Sequence, residues 1–479
     1  MKKITSILLV ICFLLSIFTI TTEAVDEESA TTGMIDCASQ ISQKNSVLVD
    51  VLSQNMRNLK ETIDISDFEI TREELKEVMG MTLMKNPDLF YVSNKRYTVG
   101  LIDDKVCVVK PHYLYNKDTI DMYSIEMDKK INKISNKINK SMSDFQKALI
   151  IHDEIVLNCK YDSNTEKETC STIYGPLIKG EGNCEGYSLT YSYLLSLLGI
   201  NSEVVISSSM HHMWNKVRLG GEYYNIDVTW DDPVPDAYGM VYHKNFLFSD
   251  SKAKERGYID YNYKNPANNT KYDNSALHEV NSKVCYVGGT CYGIVNNSND
   301  VIGMGIVTFG KNLDKFTLKK EMNNRWKALN GYWSKGFGGL GIYGNKLYYN
   351  TPNTIFELDP LTMKETKIST KTTEEEYYGI FIDENYLYTT LNTNPNNEGK
   401  KVLAKEFEKL FEQNGVFYQL GDVNGDGKTS VLDATWIQKY CAGITFLSNE
   451  QALRADMDAD GKVTVLDATY VQRRVLKLI

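Results

Sequence analysis

Near the C-terminus, two twelve-residue stretches repeat one another 34 residues apart, beginning at Asp422 and at Asp456. The first places Asp422, Asn424, Asp426, Ser430 and Asp433 at positions 1, 3, 5, 9 and 12. The second places Asp456, Asp458, Asp460, Thr464 and Asp467 there. Gly427 and Gly461 stand at position 6, where a sharp turn is needed, and Lys428 and Lys462 at position 7 offer a backbone carbonyl. Oxygens at this spacing let a short loop wrap a hard cation such as calcium. Two matching loops predict two Ca2+ ions. A short Asp closes each loop where a longer bidentate Glu is usual, so the standard geometry does not carry over unchanged.

Each loop leads into one predicted helix. Asp433-Ala434-Thr435-Trp436-Ile437-Gln438-Lys439 is answered by Asp467-Ala468-Thr469-Tyr470-Val471-Gln472-Arg473. The helix that opens a full EF-hand has no counterpart before either loop. This duplicated unit, residues 420–479, resembles a type I dockerin, a small all-α calcium-binding module. The resemblance implies a partner, the cohesin of a scaffoldin in a cellulosome. It implies that loop positions 10 and 11, Val431-Leu432 and Val465-Leu466, help choose that partner, with Lys439 and Arg473 in the same surface. Identical pairs in the two halves imply docking in either of two orientations related by a half turn.

At the other end, Lys2 and Lys3 precede an apolar run from Ile4 to Ile20, and Thr22-Glu23-Ala24 offers a small-residue cleavage site. That is the pattern of a secretory signal peptide over residues 1–24. No later run reaches the ~18 apolar residues of a spanning helix, so a secreted, extracellular chain without a membrane span is expected. At 479 residues the chain exceeds one core, and several domains are expected. A net charge of −9 argues against general affinity for nucleic acid. Nine cysteines, Cys12 among them, form no zinc spacing. Export permits disulfides, and Cys285 and Cys291 are near enough in sequence for a local bridge.

The chemistry lies in the middle of the chain. A Gly-rich stretch, Tyr174 to Ser188, delivers Cys184 just ahead of Leu189, Tyr193, Leu194, Leu197 and Leu198 at helical spacing, with Gly199 as a stop. Cys184 is thus expected at a helix N-terminus, where the helix dipole and free N–H groups favour a thiolate. Strands are expected at 203–206, 214–219 and 222–228, the last two joined by a Gly220-Gly221 turn. Such a hairpin would set His212 beside Asp227. Cysteine, then histidine, then aspartate is the order of nucleophile, base and orienter.

The words Gly182-Asn183-Cys184-Glu185-Gly186-Tyr187, His212-Met213-Trp214-Asn215 and Tyr224 to Pro233 together resemble the core of the transglutaminase-like superfamily, which shares its plan with papain-like cysteine proteases. The resemblance implies acyl transfer by Cys184, His212 and Asp227, with Trp214 and Tyr187 beside the substrate groove and no cofactor in the core. Its substrate would be a protein or peptide amide. His211 is expected to point the other way along its strand, and His152, inside a helix, to be structural. No accessory β-domains of animal transglutaminases are evident, which tilts the reading toward hydrolysis.

The whole reads as a multidomain α+β chain. An N-terminal α+β extension (25–140) carries a helix near 73–80, strands near 97–115 and a solvated helix over 120–145. A transglutaminase-like, papain-like core (141–250), a β-rich propeller-like or sandwich region (276–415) and the dockerin follow. In the β-rich region, Gly344 to Tyr349 is echoed by Asp383 to Tyr388. The competing readings are an idle scaffold serving as a binding component of the cellulosome, and a carbohydrate-active component working on plant cell-wall material. No paired-carboxylate word supports the latter.

Overall fold

The computed structural model describes residues 21–25 and 43–476, apart from 140, 165, 235, 238, 297–303, 311–312, 323–324, 329, 334–335, 371–373, 394–399, 408–409, 414–415 and 459–460. The signal-peptide expectation rests on residues that, up to 20, lie outside this description. Residues 21–25 form strand β1 (Thr21–Val25). The chain divides into two compact units: residues 1–236 with 241–279 and 311–315, and residues 237–240 with 280–310 and 316–479. No helix among the described residues is long and apolar enough to cross a membrane.

In the first unit, helices α1 (Gln43–Arg57) and α2 (Arg72–Lys85) precede an antiparallel hairpin of β2 (Val92–Ile102) and β3 (Lys105–Tyr113). Thr71 and Glu74 close a capping box at the start of α2, each side chain holding the other's backbone N–H. The stretch 120–145 is two elements rather than one helix. α3 (Lys117–Ser135) buries Ile120, Met127, Ile131 and Ile134 and then stops. Asn139 turns the chain through bonds from the Ser141 N–H and hydroxyl, and a Ser143–Gln146 capping box starts α4 (Asp144–Asn158).

The core sheet follows α5 (Cys184–Leu197) and is made of β4 (Ser202–Ser207), β5 (His212–Leu219), β6 (Glu222–Ile226), β7 (Phe246–Phe248) and β8 (Tyr261–Asn262), in the order β7-β6-β5-β4-β8. Between β5 and β6 the chain turns in two residues, Gly220 and Gly221, at φ 62° and 94°. Positive φ at both central residues is what a tight hairpin of this type requires. α6 (Asp250–Glu255) succeeds β7. Val205, Trp214, Phe248, Ala253 and Tyr258 form a buried cluster under the sheet.

The second unit opens with three antiparallel meanders. They are β9–β12 (Cys285–Val287, Thr290–Asn296, Met304–Phe309, Phe316–Met322), β13–β16 (Leu340–Tyr343, Lys346–Asn350, Thr354–Leu358, Glu365–Thr370) and β17–β19 (Glu376–Asp383, Tyr386–Asn392, Lys400–Glu406). The echoed words occupy equivalent places. Each begins a two-residue turn, with Tyr343 opposite Lys346 and Asp383 opposite Tyr386, and Val287 opposite Thr290 repeats the same turn. Each sheet is open among the described residues, so the likeness to a propeller extends to the repeated meander and not to closure. The Cys285–Cys291 bridge is excluded by register. Cys285 faces Tyr292 and Cys291 faces Tyr286, so the two thiols leave the hairpin on opposite sides. The unit ends in α7 (Val431–Cys441), α8 (Asn449–Ala455) and α9 (Val465–Val475) around Val423, Ala434, Ile437, Ala455, Ala468 and Val471. α8 runs directly into the second loop at Asp456, so the expectation that no helix precedes either loop fails for the second.

Candidate functional site

Asn183 caps α5, its side chain accepting from the Gly186 N–H at 3.1 Å and its own N–H bonding to the Cys170 carbonyl at 3.0 Å. Cys184 is therefore the first helical residue, where backbone N–H groups have no partner within the helix. Gly186 is dictated by close approach. A Cβ there would stand 2.1 Å from the Cys170 carbonyl oxygen, so only glycine lets the helix start lie against residues 168–171.

His212 begins β5, and Asp227 follows β6 with its N–H held by the Asn245 carbonyl at 2.9 Å. The hairpin sets His212 Nε2 2.7 Å from Asp227 Oδ2. With Nε2 engaged there, Nδ1 is the ring nitrogen left for the neighbouring Cys184 thiol. Burial alone would push this imidazole down; the charge and hydrogen bond of Asp227, helped by Cys184, outweigh it and raise His212 to about 10. Cys184, His212 and Asp227 are thus brought together in chain order. His211 is not in the strand. It is exposed in the turn before it, at φ 49°, and its carbonyl lies 3.9 Å from Cys184 Sγ.

The two expected groove residues are covered, although Trp214 stacks on the His212 ring at 5.9 Å. Tyr187 and Trp214 are both fully buried, so neither offers surface to a substrate. Tyr187 donates to Asp232, and Trp214 Nε1 donates to Asn225 at 2.9 Å. The exposed aromatic groups at the site are others. Trp230, 42 % exposed, stacks on the His212 ring at 4.7 Å and 13°, and its N–H bonds Asp227 Oδ1 at 3.1 Å. Tyr161, 40 % exposed, has its phenol raised by burial and then by the neighbouring Cys184. Sequence reading missed both, and also missed Tyr258, which donates to Asp227 Oδ2 at 2.8 Å. The signal available for Trp230 was its place three residues after Asp227, the reach of a side-chain-to-backbone turn.

His152 belongs to a second, buried network. Its Nδ1 meets Asp153 Oδ1 at 3.0 Å and its Nε2 meets Asp231 Oδ2 at 3.2 Å, while His243 Nε2 meets the same Asp153 oxygen at 2.9 Å. The Asn245 N–H donates to Asp231 at 2.8 Å. Burial opposes charge on His152, yet its bonds to Asp153 and Asp231 prevail and raise it to about 9. The donor atoms of His152, Asp153 and His243 lie within 4.8 Å of one another, and each already bonds a member of the network.

In the first C-terminal loop, Asp422 accepts from the N–H groups of Asp426 (3.0 Å) and Gly427 (2.9 Å), Asn424 from Asp426, and Asp426 from Lys428. Asp433, fully buried, reaches back to the N–H groups of Asn424 and Ser430. The second loop is similar, with Asp467 accepting from Thr464 and from Met457, one position earlier than Asn424 in the first, and Asp456 from Gly461. Asp456, Asp458 and Asp467 bring carboxylate oxygens within 4.8 Å of one another. Ser430 and Thr464 cap α7 and α9, each accepting from the N–H two residues on. Asp460 lies outside the described residues.

Residues 132–228 match the model of the transglutaminase-like superfamily, and residues 420–476 that of the type I dockerin domain. The chain carries a transglutaminase-like domain and a C-terminal type I dockerin. No curated protein matches it in sequence. Solved structures similar to it include one described as a TGase (13% identity, TM-score 0.20, covering 30% of this chain and 47% of that one). Another, from Cytophaga hutchinsonii, is described as a candidate cysteine protease (15% identity, TM-score 0.19, 29% and 58%). The chain spans less than two thirds of either.

A type I dockerin implies bound calcium and a cohesin partner. The donor set fits: Asp422, Asn424, Asp426 and Asp433, and Asp456, Asp458 and Asp467, are hard oxygen donors around turns whose position-6 glycines adopt φ 85° and 82°. Lys428 and Lys462 would contribute carbonyls. On the helices of the dockerin, Val431, Leu432, Val465 and Leu466 are 49–65 % exposed, and Lys439 and Arg473 are exposed as well.

Proposed function

We propose that the chain is an extracellular, cellulosome-associated cysteine enzyme that attacks peptide or carboxamide carbonyls and passes the acyl group to water. The observation that carries this reading is the single imidazole held between a helix-terminal thiol and a buried carboxylate, with His212 Nε2 2.7 Å from Asp227. Cys184, having given its proton to His212 Nδ1, attacks the carbonyl carbon and forms a C–S bond. The Cys184 N–H at the helix start is a candidate donor to the resulting oxyanion. The C–N bond breaks as the imidazolium returns its proton to the leaving nitrogen. Water, deprotonated by His212, then attacks the thioester; the C–S bond breaks, and the acid and the thiol are released. Asp227 fixes the ring through its bond to Nε2. Trp230 and Tyr161 are the aromatic groups a substrate would meet.

The dockerin would deliver this enzyme, calcium-loaded, to a cohesin through Val431, Leu432, Val465, Leu466, Lys439 and Arg473, near protein substrates in plant cell-wall material. The test is an electrophilic peptide-amide probe followed by mapping of the modified residue, together with peptide hydrolysis by wild type and Cys184→Ala. Labelling confined to Cys184 and loss of hydrolysis in the variant are expected. Equal labelling of every accessible thiol would remove the reading.

A further inference from the structure

Asp227 receives more donors than a Cys–His–Asp set supplies. Its Oδ2 accepts from His212 Nε2 at 2.7 Å and from the Tyr258 hydroxyl at 2.8 Å, while Oδ1 accepts from the Trp230 N–H. Tyr258 follows α6 and lies beyond residues 132–228, the part that matches the transglutaminase-like model. It is 1 % exposed. Its ring packs against Trp230 at 4.6 Å, Trp214 at 4.9 Å and Phe248 at 5.3 Å, and its N–H is held by the Ala253 carbonyl at 3.0 Å. The hydroxyl is thus fixed on one acceptor, and a buried hydroxyl without an acceptor would be costly.

We propose that Tyr258 is a positioning residue, a fourth member of the Cys184–His212–Asp227 set that fixes the plane of the Asp227 carboxylate and moderates its pull on the His212 proton; this rests on the cysteine-enzyme reading above. An oxygen that accepts from two donors shares its charge between them. With the Tyr258 hydroxyl removed, Oδ2 turns wholly to His212 and holds its proton more tightly. The imidazolium then becomes a poorer acid toward the leaving nitrogen. Because Tyr258 is buried beneath Trp230 and Trp214, the effect falls on kcat and not on substrate binding. The other titratable groups facing this pair are Cys184 across His212, Asp231 on the loop after Asp227, and Arg256 two residues before Tyr258. All three are unchanged by the substitution used in the test.

The experiment uses the full chain with calcium, labelled with nitrogen-15 at histidine, as wild type and as Tyr258→Phe, which keeps the ring and deletes only the hydroxyl. The His212 resonance is assigned by its loss in His212→Gln. The expected result is a higher His212 titration midpoint in Tyr258→Phe, and a roughly tenfold to hundredfold fall in kcat on a peptide amide with KM unchanged, the range of a hydrogen bond to a charged group. Superimposable His212 titrations in two folded proteins would overturn the proposal. Should Tyr258→Phe fail to fold, 3-fluorotyrosine at position 258, a stronger donor in the same shape, is expected to move the midpoint the opposite way, and no movement would overturn the proposal equally. A shifted midpoint with no turnover in the wild type would remove the hydrolase reading and leave the control of His212 by Tyr258 standing. Unshifted midpoints with normal turnover would do the reverse.

Discussion

Replacing Asp227 by Asn removes a charge and keeps the shape of the side chain. The native carboxylate accepts from His212, Tyr258 and the Trp230 N–H, and an amide can accept on one side only. If its oxygen keeps His212 and Tyr258, its NH2 meets the Trp230 N–H, and two buried donors facing each other cost about 1–3 kcal/mol. The electrostatic change is larger. His212 stands at about 10 against an ordinary 6.5 because Asp227 overcomes the effect of burial, an interval worth roughly 5 kcal/mol in favour of the imidazolium. In Asp227→Asn, burial is opposed only by Cys184, so His212 is expected to titrate near or below its ordinary value.

Two measurements follow that change. The folded-state value of His212 lies above the unfolded one, so its contribution to stability is complete below 6.5 and is lost as the pH rises through about 10. Thermal unfolding across that window should lose stability in wild type, and in Asp227→Asn the part due to His212 should be missing. The second assay is alkylation of Cys184 by iodoacetamide, mapped by mass spectrometry. In wild type, Cys184 should react at mildly acidic pH ahead of the other cysteines, and in the variant at least about tenfold more slowly, the effect of losing ~1.4 kcal/mol of the pair. A variant profile that superimposes on wild type would refute the ion-pair reasoning.

Gly186→Ala, whose Cβ meets the Cys170 carbonyl at 2.1 Å, should lower stability by about 1–3 kcal/mol and slow Cys184 alkylation, read together by unfolding and labelling. Chelation with EGTA should melt residues 420–476, whose loops gather repelling carboxylates, and leave the first unit folded, as followed by limited proteolysis and calorimetry. Altering Val431 and Leu432 to polar residues should weaken cohesin binding little if the other half can dock, whereas altering Val465 and Leu466 as well should abolish it; complete loss from one half alone would remove the two-orientation idea.

Much of the site was legible because its words are local. Asn183-Cys184 announces a capped helix start, and Gly220-Gly221 announces the hairpin that brings His212 to Asp227. What escaped was contact between residues far apart in sequence. Tyr258 reaches Asp227 from 31 residues away, and nothing in its neighbourhood marks it. The family resemblance placed Tyr187 and Trp214 beside the groove, three and two positions after Cys184 and His212. Each does share a face with that neighbour, but the face is packed over: Tyr258 and Tyr261 cover Trp214, which stacks on His212, and Tyr187 is drawn to Asp232, so both end fully buried. The repeated turn of the β-rich unit was visible as a word, whereas closure of a sheet is set by long-range pairing that no local word encodes.

The segment from Asp227 to Asp232 divides its residues between two tasks. Asp227 and Trp230 face the imidazole. Asp231 is tied to His152 on α4, and Asp232 to Tyr187 on α5, the helix that begins with Cys184. These anchors differ in charge. Burial pushes the Asp232 carboxyl well above the ordinary carboxylate range, so a neutral group of the same shape suits the place. Burial pushes Asp231 up as well, but the bond and charge of His152, the charge of His243 and the Asn245 N–H oppose it. It faces an imidazolium, because His152 is held up to about 9. That contribution is complete below 6.5 and is lost as the pH rises through about 9. Asp232→Asn should therefore cost no more than about 1 kcal/mol, while Asp231→Asn, which leaves the buried His152 charge half compensated, should cost about 3–5 kcal/mol at neutral pH and less above pH 9. Denaturant unfolding of the two variants at neutral and alkaline pH measures both. Equal costs would mean that the segment is held by shape alone, and that the charge of the His152 network has no part in fixing Asp227.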